Sequence, residues 1–299
     1  MWTWEFPYYE YSFDKFNKTQ SAIVPHLTKN ANLVVSSGTA TGKTSLMAGC
    51  FAYHLKNSDK RMVFIAPLKS LSSEIYEEWR KDEQLFEYGI GIDTSDYKTS
   101  KEDLLNNRIL ILTNESFDAK TRNPENRWIE EIGCLVVDEA HLLGQKGRGD
   151  CLEALLMRFT KTNTESRIIF LSATMSNGKQ IAKWLKSLNG KSTLNITSNW
   201  RPVKLSFSFD IAYRWDDKID AIKKIIEKNP YEKILIFVNS KKFGKELMKR
   251  LKKNYILSAF HNASLSQKKR SEIEKLFIDR YSGLQVLVST TTLACGVNV

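Results

Sequence analysis

Gly42, Lys43 and Thr44 stand side by side in the run SSGTATGKTSL, residues 36–46. A glycine, an ammonium and a hydroxyl in that order suit a loop that holds phosphate. They supply a backbone that can come close, a point charge and an oxygen for a divalent cation. The general pattern G-x-x-x-x-G-K-[ST] asks for an earlier glycine where this chain has Ser37. Far downstream, Asp138, Glu139 and His141 follow the apolar run CLVV. An acidic group at the end of a buried strand can hold Mg2+, largely through its waters. A second carboxylate beside it can orient or deprotonate a water that attacks phosphorus. Two carboxylates at a strand end are commonly no more than a turn or a helix cap. With a phosphate loop upstream they become the parts of a phosphoryl-transfer site.

Such residues must sit where strands hand over to helices. Residues 32–36, NLVVS, form a short apolar run that suits a buried parallel strand. From Thr44 onward, Leu46, Cys50, Tyr53 and His54 recur three or four apart, so a helix starts directly after the loop. The unpaired N–H groups of a helix N-terminus bind phosphate oxygens. Further strand-like runs at 61–66, 108–113, 134–138 and 167–172 alternate with helical patterns near 69–82, 149–160 and 177–188. This alternation predicts an α/β fold with a mainly parallel sheet and helices on both faces. In such sheets ligands bind at the carboxyl ends of the strands. Residues 195–206, NITSNWRPVKLS, interrupt the pattern with polar residues and a proline. It then resumes with strands at 233–238, 255–260 and 284–289 between helices near 216–229, 241–253 and 266–280. The expectation is two similar domains, 1–203 and 204–299.

The chain has 299 residues, 42% hydrophobic and 26% charged, in the range of globular proteins with a substantial core. Its apolar runs fall short of a membrane span, and MWTWEFPYYEYSFDKF lacks the basic flank and apolar centre of a signal peptide. These features predict no membrane partner and an intracellular protein, cytoplasmic or nucleoid/nuclear, rather than a secreted one. Cys50, Cys134, Cys151 and Cys295 are scattered and read as free thiols. A net charge of +11 points to a polyanionic partner. The densest basic run, residues 240–254, reads as an amphipathic helix with Phe243, Leu247 and Leu251 inward and its lysines in solvent.

The phosphate loop and DEAH together resemble motifs I and II of the superfamily II helicases. The motif A-x-T-G-x-G-K-T reads Ser37-Gly38-Thr39-Ala40-Thr41-Gly42-Lys43-Thr44 here, with Ser37 for the leading alanine and Ala40 for a glycine. FNKTQSAI (16–23) resembles the glutamine motif, APLKSLSSEIYEEW (66–79) motif Ia and TNESFDA (113–119) motif Ib. LSATM (171–175) is similar to motif III, ILIFVNS (234–240) to motif IV and STTTLACGVNV (289–299) to motif V. DEAHLLGQKGRGDCLEALLMRF, NWRPVKLS, AFHNASLS and TLACGVN resemble the Ski-like DExH branch, which has archaeal DNA-repair and eukaryotic RNA-processing members. HNASL departs from that branch's His-His-Ala-Gly-Leu.

The resemblance implies two RecA-like domains, the second truncated, with ATP and Mg2+ as cofactors. It places Thr39, Ala40, Thr41, Gly42, Lys43 and Thr44 around the phosphates and Gln20 on the adenine edge. Gly296 and Asn298 would approach the nucleotide from the second domain. Thr44 and Asp138 would hold the metal, and Glu139 would position the water. His141, Ser172 and Thr174 would couple hydrolysis to domain closure. Pro67, Lys69, Thr113, Asn239, Thr290 and Thr292 would meet a nucleic-acid backbone. The partner implied is single-stranded nucleic acid or a duplex with a single-stranded tail, DNA ahead of RNA.

In the family, further strands, a motif VI bearing arginines and helical domains follow motif V, where this sequence stops. That predicts nucleotide and nucleic-acid binding with poor hydrolysis and no unwinding, and an unpaired sheet edge in the second domain. Two rival readings stay open: a P-loop kinase or metabolic ATPase, and a nucleotide-dependent nucleic-acid clamp without unwinding activity.

Overall fold

Val34 and its neighbours Leu33 and Val35 show how the first sheet is built. All three are fully buried, Leu33 and Val35 in one apolar layer and Val34 in the layer on the opposite face. A strand covered on both faces has no polar alternation, so it shows in the sequence as a continuous apolar run. The structure, a computed structural model, describes residues 1–94, 100–173, 175–290 and 293. The chain divides into two units, Met1–Lys204 and Leu205–Val299.

The first unit begins with α1 (Lys18–Ile23), β1 (Asn32–Ser37), α2 (Lys43–Asn57), β2 (Arg61–Ala66), α3 (Lys69–Trp79) and α4 (Glu83–Phe86). It continues with β3 (Ile90–Asp93), α5 (Lys101–Asn106), β4 (Ile109–Thr113), α6 (Asn114–Thr121) and β5 (Ile132–Val137). It closes with α7 (Arg148–Thr162), β6 (Arg167–Ser172), α8 (Gly178–Asn189) and β7 (Thr193–Ser198). The seven strands are parallel, in the order β3-β4-β2-β5-β6-β1-β7. One face is covered by α1, α2 and α3, the other by α6, α7 and α8. β2 and β6 coincide with the apolar runs that predict them. The two edge strands do not announce themselves. β3 is short, and β7 falls partly in the segment read as an interruption, yet it pairs with β1 from Asn32–Thr193 to Ser37–Ser198. Edge strands face solvent and tolerate the polar residues found there.

The second unit contains α9 (Trp215–Lys228), β8 (Ile234–Phe237), α10 (Lys241–Lys253), β9 (Ser258–His261), α11 (Gln267–Ile278) and β10 (Val286–Ser289). Its strands are parallel, in the order β8-β10-β9. Ile234 and Ile236 pack with α9 and α10, and Leu235 packs with α11. Among the described residues β8 pairs along one edge only, and Phe237 is 53% exposed. Ahead of α9, Val203, Leu205, Phe207, Phe209, Ile211 and Tyr213 occupy every second position, all exposed and outside any described strand. That spacing is the period of a strand.

One side chain ties the first unit together behind the site. Arg167, at the start of β6, is fully buried. Its Nε donates to Ala31 O at 2.7 Å, Nη1 to Leu27 O at 2.5 Å and Nη2 to His26 O at 2.6 Å. Nη1 also meets His54 Nε2 of α2 at 3.1 Å. The guanidinium therefore fixes the turn entering β1 against β6 and the helix that follows the loop. Arg167→Met keeps the volume but leaves buried carbonyls without donors, at about 1–3 kcal/mol each. Denaturant unfolding should show a loss of at least about 3 kcal/mol. A loss near zero would mean that those carbonyls do not need the guanidinium.

Candidate functional site

The loop between β1 and α2 is held in shape by its own side chains. The hydroxyls of Ser37 and Thr41 meet at 3.0 Å, and Thr41 Oγ1 donates to Gly38 O at 3.0 Å. Ser37, where the pattern has glycine or alanine, is thus a brace of the loop. Gly42 caps α2 in the left-handed conformation, φ 74°, and no side chain caps the helix. The helix N-terminus is left open to an anion. Lys43 Nζ donates to Ser37 O at 3.1 Å and to Gly38 O at 2.9 Å, folding its charge back over the loop. Burial pushes Lys43 below the ordinary lysine value, and the Asp138 and Glu139 carboxylates pull it part of the way back. Thr44, half-buried, is the second residue of α2.

The acidic side lies two strands away in the same sheet. β6 stands between β1 and β5, so the loop, the end of β6 and Asp138 sit at neighbouring carboxyl ends. Asp138 directly follows β5, and its N–H donates to Ile65 O at 2.9 Å. Its Oδ1 accepts the Glu139 N–H at 2.8 Å. Burial, reinforced by the Glu139 charge, raises the Asp138 carboxyl to about 6 against the pull of that N–H and of Lys43. Glu139 turns into the left-handed region, φ 51°, and opens a short 3-10 turn, Ala140–Leu142. Its Oε2 lies 3.0 Å from His141 Nδ1, but neither atom makes an aligned hydrogen bond. Ser172 Oγ at the end of β6 is also buried without one. Met175 N–H donates to Ser36 Oγ at 2.9 Å and so ties the segment after β6 to β1.

Other expected residues fall around this edge with different surroundings. Gln20 is buried on α1; its Oε1 accepts the Asn17 N–H at 3.0 Å and its Nε2 faces Gly42 O at 3.5 Å. One lone pair and one amide hydrogen stay available for a base edge. Asn17 was not among the expected residues, although it braces the loop by donating from Nδ2 to Thr41 O at 3.1 Å. Its sequence signal is the capping-box spacing to Gln20. Thr39 and Ala40 are exposed on the loop. Pro67 is buried after β2, and Lys69 is exposed at the start of α3. Thr113 is buried, and its hydroxyl accepts Ser116 N–H at 3.3 Å as the cap of α6. In the second unit Asn239 is exposed after β8, and Thr290 N–H donates to His261 O at 3.2 Å. Thr174, Thr292, Gly296 and Asn298 lie outside the described residues.

Residues 17–182 match the DEAD/DEAH box helicase family, and residues 217–299 match the helicase conserved C-terminal domain. The chain belongs to the DEAD/DEAH box helicase family. Among its relatives is the ATP-dependent DNA helicase Hel308 of Thermoplasma volcanium, 33% identical over 94% of this chain and 45% of the relative. Another is the ATP-dependent DNA helicase MER3 of Saccharomyces cerevisiae, 32% identical over 97% of this chain and 28% of the relative. The chain thus spans less than half the length of these curated relatives. The structure of S. cerevisiae Dbp5 bound to RNA and ADP BeF3 superposes with a TM-score of 0.69 at 20% identity. It covers 95% of this chain and 72% of that one, and the likeness shows the fold of this helicase family. These relatives agree with the Ski-like resemblance of the motifs.

The helicase loop departs from its family at Ala40, and the departure has a structural cost. Ala40 lies at φ 56°, where an L side chain is disfavoured by about 1–2 kcal/mol. Glycine pays no such strain but loses more backbone freedom on folding. Ala40→Gly should therefore raise stability by about 0.5–1 kcal/mol in denaturant unfolding. A drop in stability would show that the loop needs the methyl group.

Proposed function

We propose that the chain binds ATP with Mg2+ and hydrolyses it, and that hydrolysis drives movement along single-stranded nucleic acid, as in a helicase. One observation carries this reading. Lys43, Asp138 and Glu139 converge at the carboxyl ends of β1 and β5, next to an uncapped helix N-terminus and buried polar atoms that lack hydrogen bonds.

Those features fit a polyphosphate and a divalent cation. The Lys43 ammonium rests on two carbonyls that a phosphate can outcompete, and the loop N–H groups add fixed positive dipoles. Thr44 Oγ1 and the Asp138 carboxylate would hold Mg2+, directly or through its waters, and the cation would supply neutralising charge at the terminal phosphates. Glu139 orients the attacking water and takes its proton, and its Oε2, though near His141, accepts no aligned hydrogen bond. Gln20 recognises the base. A nucleotide role for Gly296 and Asn298 rests on the resemblance of STTTLACGVNV to motif V alone.

Ser172, Thr174 and His141 report on the bound phosphate. The Glu139–His141 approach and the Ser172 hydroxyl support that assignment, because both have unused polar capacity. For the nucleic-acid path, Lys69 and Asn239 offer exposed polar groups. Pro67 and Thr113 shape the strand ends behind them, and Thr290 and Thr292 serve the second unit. Backbone contacts of this kind position a strand without reading its sequence. The names of Hel308 and MER3 favour DNA. An intracellular setting follows from both ligands. Among the described residues no helix is long and apolar enough to cross a membrane.

Lys43→Ala should weaken ATP binding at least about tenfold, since it removes a charge-assisted contact. Glu139→Gln should bind ATP normally and lower any turnover by about 10²-fold or more. Equal ATP affinity in the wild type and Lys43→Ala would refute the site. Affinity for a DNA strand of arbitrary sequence should fall linearly in log–log form with salt. A salt-independent affinity would refute the nucleic-acid reading.

A further inference from the structure

Arg201, in the NWRP run after β7, has its side chain laid over the phosphate loop. Gly38 has no Cβ, and this side chain lies directly against the space where one would stand. A Cβ built there would lie 3.3 Å from Arg201 Cγ and 3.4 Å from both Cζ and Nη1. Gly38 is also the residue whose carbonyl accepts Lys43 Nζ. Two cationic side chains thus approach one loop residue.

The backbone that carries Arg201 is anchored within the first unit. Ser198 Oγ, at the end of β7, meets Thr19 Oγ1 of α1 at 2.7 Å and accepts the Trp200 N–H at 3.3 Å. The guanidinium itself is exposed and, among the described residues, makes no hydrogen bond or ion pair. A planar fork of five donors, held beside a loop built for phosphate, lacks only the anion that it matches.

We propose that Arg201 is a nucleotide-binding residue that donates to the polyphosphate of ATP, beside Lys43 and from the segment leading into the second unit. The inference rests on the ATP reading of the loop. It adds an arginine of the first unit, outside every motif assigned to the nucleotide, that packs against Gly38 of the loop.

Equilibrium binding of ATP, ADP and AMP to the full chain tests this, using the wild type, Arg201→Gln, Arg201→Lys and Lys43→Ala. Arg201→Gln should weaken ATP at least about tenfold, the loss expected for a hydrogen bond to a charged group. AMP should be held as in the wild type, and Arg201→Lys should recover part of the ATP affinity. Thermal unfolding without nucleotide should match the wild type, because the side chain is exposed. A loss of ADP affinity as well would place the contact on the β-phosphate, and ADP affinity left intact would place it on the γ-phosphate.

Unchanged ATP affinity in Arg201→Gln, with Lys43→Ala weakened, overturns the inference and leaves the ATP reading standing. An equal loss for AMP and ATP also overturns it, since AMP lacks the β- and γ-phosphates to which the contact is assigned. If Lys43→Ala binds ATP as the wild type does, the ATP reading fails and this inference falls with it.

Discussion

A buried guanidinium that has no carboxylate beside it among the described residues holds the first unit in register. Arg167 takes three backbone carbonyls from the turn before β1 and reaches His54 of α2, with Cys50 Sγ 3.7 Å from Nη1. Desolvating a cation is costly, and only a full set of acceptors makes it tolerable. That requirement gives the interaction its structural force. The strand ending in Ser172, the strand ending in Ser37 and the helix beginning at Lys43 must meet in one arrangement for the donors to be satisfied. Cys50 responds to the same environment. A hydrogen bond from Cys134, with help from Arg167 and His54, holds its thiol well below the usual value despite burial. The relative placement of loop, acidic pair and β6 follows from this packing behind them.

The site in front contains the opposite kind of polar group. Glu139 Oε2, His141 Nδ1 and Ser172 Oγ are buried without aligned partners, and Lys43 is turned onto its own loop. Unpaired buried groups destabilise a protein, so they persist where a ligand completes them. The raised Asp138 carboxyl has the same origin: burial next to a second carboxylate penalises its charge until a cation arrives. The first unit thus sets the fully engaged Arg167 guanidinium behind the sheet against a cluster of unpaired polar atoms at its carboxyl edge.

Much of this was legible in the residues. Continuous apolar runs gave β1, β2, β4, β5 and β6, because strands covered on both faces have no alternation to hide them. Gly-Lys-Thr and Asp-Glu-Ala-His marked the two strand ends that carry the chemistry. Leu247 and Leu251 are buried on α10 as its amphipathic spacing predicts, and Phe243 packs on Trp215 with ring centroids 3.9 Å apart. What could not be read were partnerships across long sequence separations. Arg167 looked like the first polar residue of a strand. Thr113 carries no sequence sign that its hydroxyl caps the start of α6. The aromatic N-terminal residues carried no motif, and they prove to pack against the helix after the loop, with Tyr8 and Tyr53 rings at 4.6 Å. The alternating apolar residues from Val203 to Tyr213 have the spacing of a strand without forming one.

The central claim is that the β1–α2 loop and the β5 end form one nucleotide site. Backbone hydrogen–deuterium exchange with and without saturating ATP and Mg2+ tests it most directly, because it reads the loop amides themselves. Peptides covering residues 37–46 and 137–142 should exchange more slowly with nucleotide, while the strand interiors stay as they were. Unchanged exchange across 37–46 at saturating nucleotide would contradict the account.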